Sequence, residues 1–434
     1  MSVVPELRAV LGGRDFRRLY ATRLTSQLSD GVFQVALAGY LFFAPERQTT
    51  AAKAAAAFAV LLLPYSLVGP FVGVFIDRWS RRQILALSPV IRAVLVGLVA
   101  TLLAAGSEGV AFYLLALFVL GVNRFFLAAL SAALPHVVDR DQLVVANSLA
   151  VTSGTIIAFC GAGVGYLLRL VFGGGNGGTA LILLCAAGLY LTAGGLATRL
   201  RRDQLGPDLS AALPRTRQAL GNVLRGLADG ARHIWERRPA ALALAAISVH
   251  RFLYGVLLIM AALLFRNYFT DDADAGFRKF AVFLSVSGVG FLTGALITPW
   301  VVGRTGKNGW IVFLLGGAAV TEAALGLPFA ELPLVLSGFT LGVISQGVKL
   351  SVDVIVQETV DDAYRGRVFS VYDMLFNATF VGAAGVAAAT LPATGKSYAV
   401  LTAVIAVYAV AALLYWLTTR NNSAVATSGS NMGS

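Results

Sequence analysis

The sequence predicts an all-α integral membrane protein with twelve transmembrane helices in two pseudo-symmetric six-helix bundles. Three observations carry that prediction. Only 13% of the 434 residues are charged while 57% are hydrophobic, against roughly 25% charged in a soluble chain, so the polar surface a water-exposed fold needs is missing. The apolar residues run in blocks of about 20, the length that crosses a bilayer. The second half of the chain also repeats features of the first at a nearly constant offset. The net charge of +12 does not point to nucleic acid, because the arginines flank apolar blocks instead of forming one basic face.

The spans read as 17–43, 53–76, 83–105, 109–134, 142–169 and 178–199 in a first bundle of residues 1–199. A second bundle, residues 239–420, holds 239–265, 278–302, 309–329, 332–356, 367–391 and 396–418. Backbone polar groups in lipid must bond within their own segment, so each span is expected to be helical. Residues 200–238, with eight arginines and with Pro207 and Pro214, form a cytoplasmic linker with an amphipathic helix expected near 217–236. The Ser-, Asn-, Gly- and Ala-rich tail, 421–434, is expected to be disordered. The N-terminus has no cleavage pattern of a signal peptide, so the first span is expected to stay. Cys160 and Cys185 sit in separate apolar blocks and read as small hydrophobes, with no disulfide framework or metal site implied.

Orientation follows from charge. Arg8, Arg14, Arg17, Arg18, Arg78, Arg81, Arg82, the linker arginines, Arg304, Lys307, Arg365, Arg367 and Arg420 fall on one side. The other side holds few cations: Arg47, Lys53, Arg266, Arg278, Lys279 and Lys396. The bias predicts that both termini are cytoplasmic; the excess of arginine over lysine and the dominance of Ala, Gly, Val and Leu point to a GC-rich bacterial genome, so the membrane expected is a bacterial inner membrane. A shift of 221 residues lays Leu120-Gly121-Val122 on Leu341-Gly342-Val343 and Gly73 on Gly294, and a shift of 224 lays Gly31-Val32 on Gly255-Val256. Several such matches argue for an internal duplication.

Between spans two and three runs Gly73-Val-Phe-Ile-Asp77-Arg78-Trp-Ser-Arg81-Arg82. The glycine permits close helix approach, the aspartate can face a helix N-terminus, and the arginines suit anionic headgroups or carboxylates. This loop resembles the signature Gly-x-x-x-Asp-Arg-x-x-Arg-Arg of the major facilitator superfamily, in which it is implied to latch one conformational state; a plain positive-inside anchor is the alternative. The resemblance extends over essentially the whole chain. It implies a secondary transporter working by alternating access, not an enzyme, with no cofactor. The symmetric loop carries Thr298 where Asp77 would sit.

Span four, Leu120 to Pro135 with Asn123 and Arg124 and small residues at helical spacing, resembles the family motif associated with proton coupling. Arg124 inherits that role from the resemblance, with a structural ion pair as the alternative. Gly161-Ala162-Gly163-Val164-Gly165 in span five resembles the glycine-rich motif of drug–proton antiporters, with Ala162 replacing the usual proline; a plain packing face is the alternative. Asp15-Phe16-Arg17-Arg18-Leu19, Ser29-Asp30-Gly31 and Arg365-Gly366-Arg367-Val368 resemble the branch that includes macrolide and enterobactin exporters.

Polar residues inside spans are the route to chemistry. On span one, Arg23, Gln27, Asp30 and Gln34 share a stripe at 100° per residue, with Asp30 near mid-membrane. Span seven offers His250, Arg251, Phe252 and Tyr254 at related positions. The resemblance implies that spans one and seven line a central cavity, where Asp30 and Arg251 would approach each other. Asp30 is the expected proton site, with a permanent Asp30–arginine pair as the alternative. Arg23, Gln27, Gln34, Tyr65, Asn123, His250, Arg251, Phe252 and Tyr254 are expected around the substrate. Lys349 and Asp353 of span ten, with Asp373 and Asn377 of span eleven, are expected in a cytoplasmic gate. Glu322 of span nine is a weaker candidate, since the resemblance makes that helix peripheral.

The expected function is proton-driven export of an amphipathic or hydrophobic small molecule by a monomer, in contact with membrane lipids and not with nucleic acid. Three alternatives stay open: a lipid or lysolipid flippase, a siderophore or nutrient importer, and a transport-inactive sensor or scaffold. Three scattered histidines give no metal signature, and Gly395-Lys396-Ser397 lacks the first glycine of a phosphate-binding loop.

Overall fold

The computed structural model describes residues 9–43, 71, 75, 78–107, 109–139, 142–201, 205–206, 216–361 and 364–430. Nearly all of span two, with Tyr65, Gly73 and Asp77, lies outside the described residues. What is described is helical. In the first half run α1 (Arg14–Phe43), α2 (Arg81–Ala104), α3 (Val110–Ala133), α4 (Leu143–Phe172) and α5 (Asn176–Thr198). The linker helix α6 is Thr216–Glu236. The second half holds α7 (Arg238–Asn267), α8 (Ala273–Thr321), α9 (Glu331–Thr359), α10 (Arg365–Thr390) and α11 (Tyr398–Ser430).

Local chemistry explains the boundaries. Asp272 caps α8, its carboxylate accepting from the N–H groups of Asp274 at 3.0 Å and Ala275 at 3.2 Å. Pro239 opens α7, where its missing N–H costs nothing. Gly306, at φ 74°, breaks α8 into two arms, which match the two spans read at 278–302 and 309–329. One boundary differs from expectation. Helix α11 runs to Ser430, through ten residues read as disordered tail; no proline or glycine interrupts 421–428, so nothing there stops a helix already under way.

Nine helical stretches among the described residues are long and apolar enough to cross a membrane. Their outward side chains are apolar, as with Phe159 (69% exposed) and Leu296 (80% exposed), a surface suited to acyl chains and not to water. Helix α1 is not among the nine, because Gln27, Asp30 and Gln34 lower the apolar content of even its C-terminal part.

The chain divides into two compact units, parting between Val223 and Leu224, inside α6. In the first, α1 packs on α4 and α5, and α2 on α3 and α5. In the second, α7 packs on α10 and α11, and α8 on α9 and α11. These four pairings of the first half each have a counterpart in the second, as an internal duplication would give, while α7 also packs on α8 and α9. Close crossings depend on glycine. A Cβ on Gly31 of α1 would lie 2.0 Å from the Ala158 carbonyl oxygen, and one on Gly161 of α4 would lie 2.2 Å from that of Leu28. Gly290 of α8 and Gly342 of α9 meet the facing carbonyls of Phe339 and Ser287 equally tightly.

Helix α6 docks on the start of α10. Arg367 reaches Asp229 at 3.4 Å, Arg237 reaches Asp361 at 2.8 Å, and the His233 ring stacks on Tyr364 at 4.4 Å.

Candidate functional site

The polar stripe of α1 does not share one environment. Asp30 is buried, Arg23 and Gln27 are half-buried, and Gln34 is exposed. Asp30 Oδ1 receives two donors from inside its own bundle: the Arg92 guanidinium of α2 and the Tyr190 hydroxyl of α5, the latter at 2.7 Å. Arg92 also donates to Ser26 Oγ at 3.0 Å and lies over the Tyr190 ring at 4.0 Å. Arg92 is 0% exposed. The other carboxylate oxygen, Oδ2, is buried without a hydrogen-bond partner among the described residues. The cation beside Asp30 within its own bundle is Arg92. Arg251, half-buried on α7, lies over the rings of Phe376 and Phe380 of α10, at 4.2 and 4.6 Å.

His250 belongs to a separate network. It is buried, with Nε2 2.8 Å from Ser345 Oγ of α9 and Nδ1 3.1 Å from the Tyr408 hydroxyl of α11. Both ring nitrogens are taken within the bundle, so His250 fastens three helices together and has no polar atom left for a substrate. Adjacent helical residues point about 100° apart, which is why Arg251 shares none of these partners. Phe252 packs towards Gly382 of α10. Tyr254 lines a small cavity inside the second bundle with Glu322 and Ser337.

Two of the motif arginines, Arg81 and Arg82, bind helix ends. Arg81 donates to the carbonyls of Ala132 and Leu205, both at 3.0 Å. Arg82 donates to the carbonyls of Leu200 at 2.6 Å and Thr198 at 2.7 Å. Each arginine thus supplies positive charge at the C-terminal end of a helix, α3 and α5 respectively, where carbonyls lack intrahelical partners. Arg169 does the same for α1, donating to Phe43 O at 3.0 Å. Arg78 follows in a turn closed by its N–H on Phe75 O.

Of the second cluster, Lys349 and Asp353 form an ion pair at 2.7 Å, with Lys349 Nζ 5.8 Å from the centre of the Tyr372 ring. Asn377 is buried and donates to the Asp373 carbonyl at 2.8 Å, while the Asp373 side chain is exposed. Asn123 is buried and Arg124 half-buried on α3. In span five, Gly161 and Gly165 press on α1 while Gly163 faces open space.

Among the described residues no group of His, Cys, Asp and Glu has the geometry of a metal site. Two membrane-suited bundles with repeated helix neighbours, buried polar networks and carbonyl-capping loop arginines describe a transporter scaffold. The sequence model of the Major Facilitator Superfamily matches residues 19–385. The chain belongs to that family. It is similar to an uncharacterized MFS-type transporter of Mycobacterium tuberculosis, 38% identical over 391 residues, which cover 90% of this chain and 88% of that one. It is more distantly similar to macrolide efflux protein A of Streptococcus pyogenes, 24% identical over 365 residues, 82% of this chain and 84% of that one. A mutant of the nucleoside transporter NupG shares the fold, with TM-score 0.71, 16% identity and coverage of 93% of this chain and 99% of that one. This MFS chain is thus an all-helical, multi-pass membrane protein, a secondary transporter of a small molecule and not an enzyme.

Proposed function

We propose that this transporter exports an amphipathic or hydrophobic small molecule across a bacterial plasma membrane, driven by the proton gradient. The observation that carries the reading is the sealed network of Asp30, Arg92 and Tyr190, half of whose carboxylate is engaged and half idle. Such a group has two defined states. Ionised, it is held by Arg92. Protonated, it releases Arg92 to Ser26 and to the Tyr190 ring, and the two states favour different packings of α1, α2 and α5. The likeness to macrolide efflux protein A supports outward movement and an amphipathic cargo.

In this reading Asp30 carries the proton and Arg124 takes part in coupling. Arg23, Gln27 and Gln34 of α1, with Arg251, Phe252 and Tyr254 of α7, contact the cargo. Lys349, Asp353, Asp373 and Asn377 act as a gate, and Arg78, Arg81 and Arg82 hold the loop through one conformational state. Both termini are cytoplasmic and the working unit is a monomer.

The test is reconstitution in liposomes with an imposed pH gradient, using macrolides and other amphipathic compounds as cargo and comparing wild type with Asp30→Asn. Wild type is expected to concentrate cargo against its gradient. The variant is expected to lose gradient-driven accumulation while keeping exchange of cargo across the bilayer. Full gradient-driven flux in Asp30→Asn removes the proton role of Asp30; absence of flux for every amphipathic cargo removes the export reading.

A further inference from the structure

We propose that Glu322 is a second proton-binding site, set inside the second bundle and separate from Asp30. Glu322 is 1% exposed, and Oε1 is buried with no hydrogen-bond partner among the described residues. Its carboxyl borders a small cavity walled by Leu257, Leu264, Phe283, Leu334 and Leu401. The backbone there is shaped around it. Residues 322–326 form a π-turn, with the Leu327 N–H donating to the Glu322 carbonyl at 3.1 Å, a wide turn often found at functional positions. Gly326 leaves the space the carboxyl occupies: a Cβ there would lie 2.6 Å from Glu322 Oε2.

The groups facing Glu322 do not supply a positive charge. From α9 comes Ser337, from α7 Tyr254, and from α11 Tyr408, whose hydroxyl is engaged by His250. Among the described residues no cation lies within salt-bridge distance of Glu322. An ionised carboxylate in such a place has no counter-ion among the described residues, whereas a protonated one needs only an acceptor. Ser337 provides it. Its Oγ lies 2.9 Å from the Leu334 carbonyl oxygen, which can take its hydrogen and leave oxygen lone pairs to accept from a protonated Glu322. Proton uptake forms one O–H bond on the carboxyl, with the proton drawn from water, and breaks no bond in the protein. The new O–H donates to Ser337 Oγ. A metal or alkali cation fits poorly, because such ions take about six oxygens and the cavity presents those of Glu322, Ser337 and Tyr254 among leucine and phenylalanine.

The proposal does not depend on Asp30, on the cargo or on the direction of transport. It is tested on the purified full chain by infrared spectroscopy of the carboxylic-acid C=O stretch from mildly acid to strongly alkaline pH. Glu322→Gln keeps the shape of the side chain and is expected to remove one protonated-carboxyl band present in wild type at neutral pH. Identical carboxylic-acid bands in the two proteins at every pH overturn the proposal. A second measurement needs no variant: a hydrophobic carbodiimide, which attacks protonated carboxyls buried in membranes, is added to wild type and the adduct located by mass spectrometry. An adduct on Glu322 that disappears as pH is raised supports the site. No adduct there at any pH, or one that pH does not change, overturns it.

Discussion

Arg92 of α2 closes on the carboxylate of Asp30 of α1, and the pair is sealed inside the N-terminal bundle with the Tyr190 ring stacked on the guanidinium. Two opposite charges taken out of water together tolerate each other; either alone does not. Arg92→Leu, which strands the carboxylate, is expected to cost about 3–5 kcal/mol. Tyr190→Phe, which removes one hydrogen bond to a charged group, is expected to cost about 1–3 kcal/mol. Unfolding temperatures in detergent check the order, and an Arg92→Leu protein as stable as wild type contradicts the pairing.

The crossing of α1 and α4 makes a sharp contrast between neighbouring glycines. Gly31→Ala and Gly161→Ala place a Cβ about 2 Å from a facing carbonyl and should prevent the two helices from closing, whereas Gly163→Ala meets nothing within 4 Å. The expected result is loss of folded protein on size exclusion for the first two and wild-type behaviour for the third. Equal behaviour of all three argues against the crossing.

Arg82 offers a third test. Arg82→Ala removes two short hydrogen bonds to the carbonyl end of α5 and should cost about 1–2 kcal/mol. If its partners were anionic headgroups, the loss would vanish in a neutral detergent; bonded to carbonyls, it persists there.

His250 separates a structural role from cargo contact. His250→Phe leaves the hydroxyls of Ser345 and Tyr408 without their shared partner, at about 1–3 kcal/mol, and should leave cargo affinity unchanged. Weaker binding at unchanged thermal stability would place His250 in the cargo path after all.

The spans were legible because a bilayer imposes a length and a solvent on every helix that crosses it, and α6 was legible from its amphipathic arginine-rich pattern. Partners were harder to read. Arg92 is visible as the ionisable residue in the interior of an otherwise apolar third span, yet its match to Asp30 depends on helix depth and rotation, which spacing along one chain does not encode. The roles of Arg81 and Arg82 were hidden for another reason: their acceptors are backbone carbonyls, which every residue carries. His250 and Arg251 are adjacent in sequence, yet one helical step turns a side chain from one set of neighbours to another.

At Gly31 and Gly161 main chain lies against main chain, with no side chain between to compress, slide or change rotamer. The first and fifth spans can therefore travel only as a single strut. Any opening and closing of this bundle must come from the strut tilting as a piece or from the helices beside it, and a bulky probe wedged at the crossing should jam the cycle without touching the cargo.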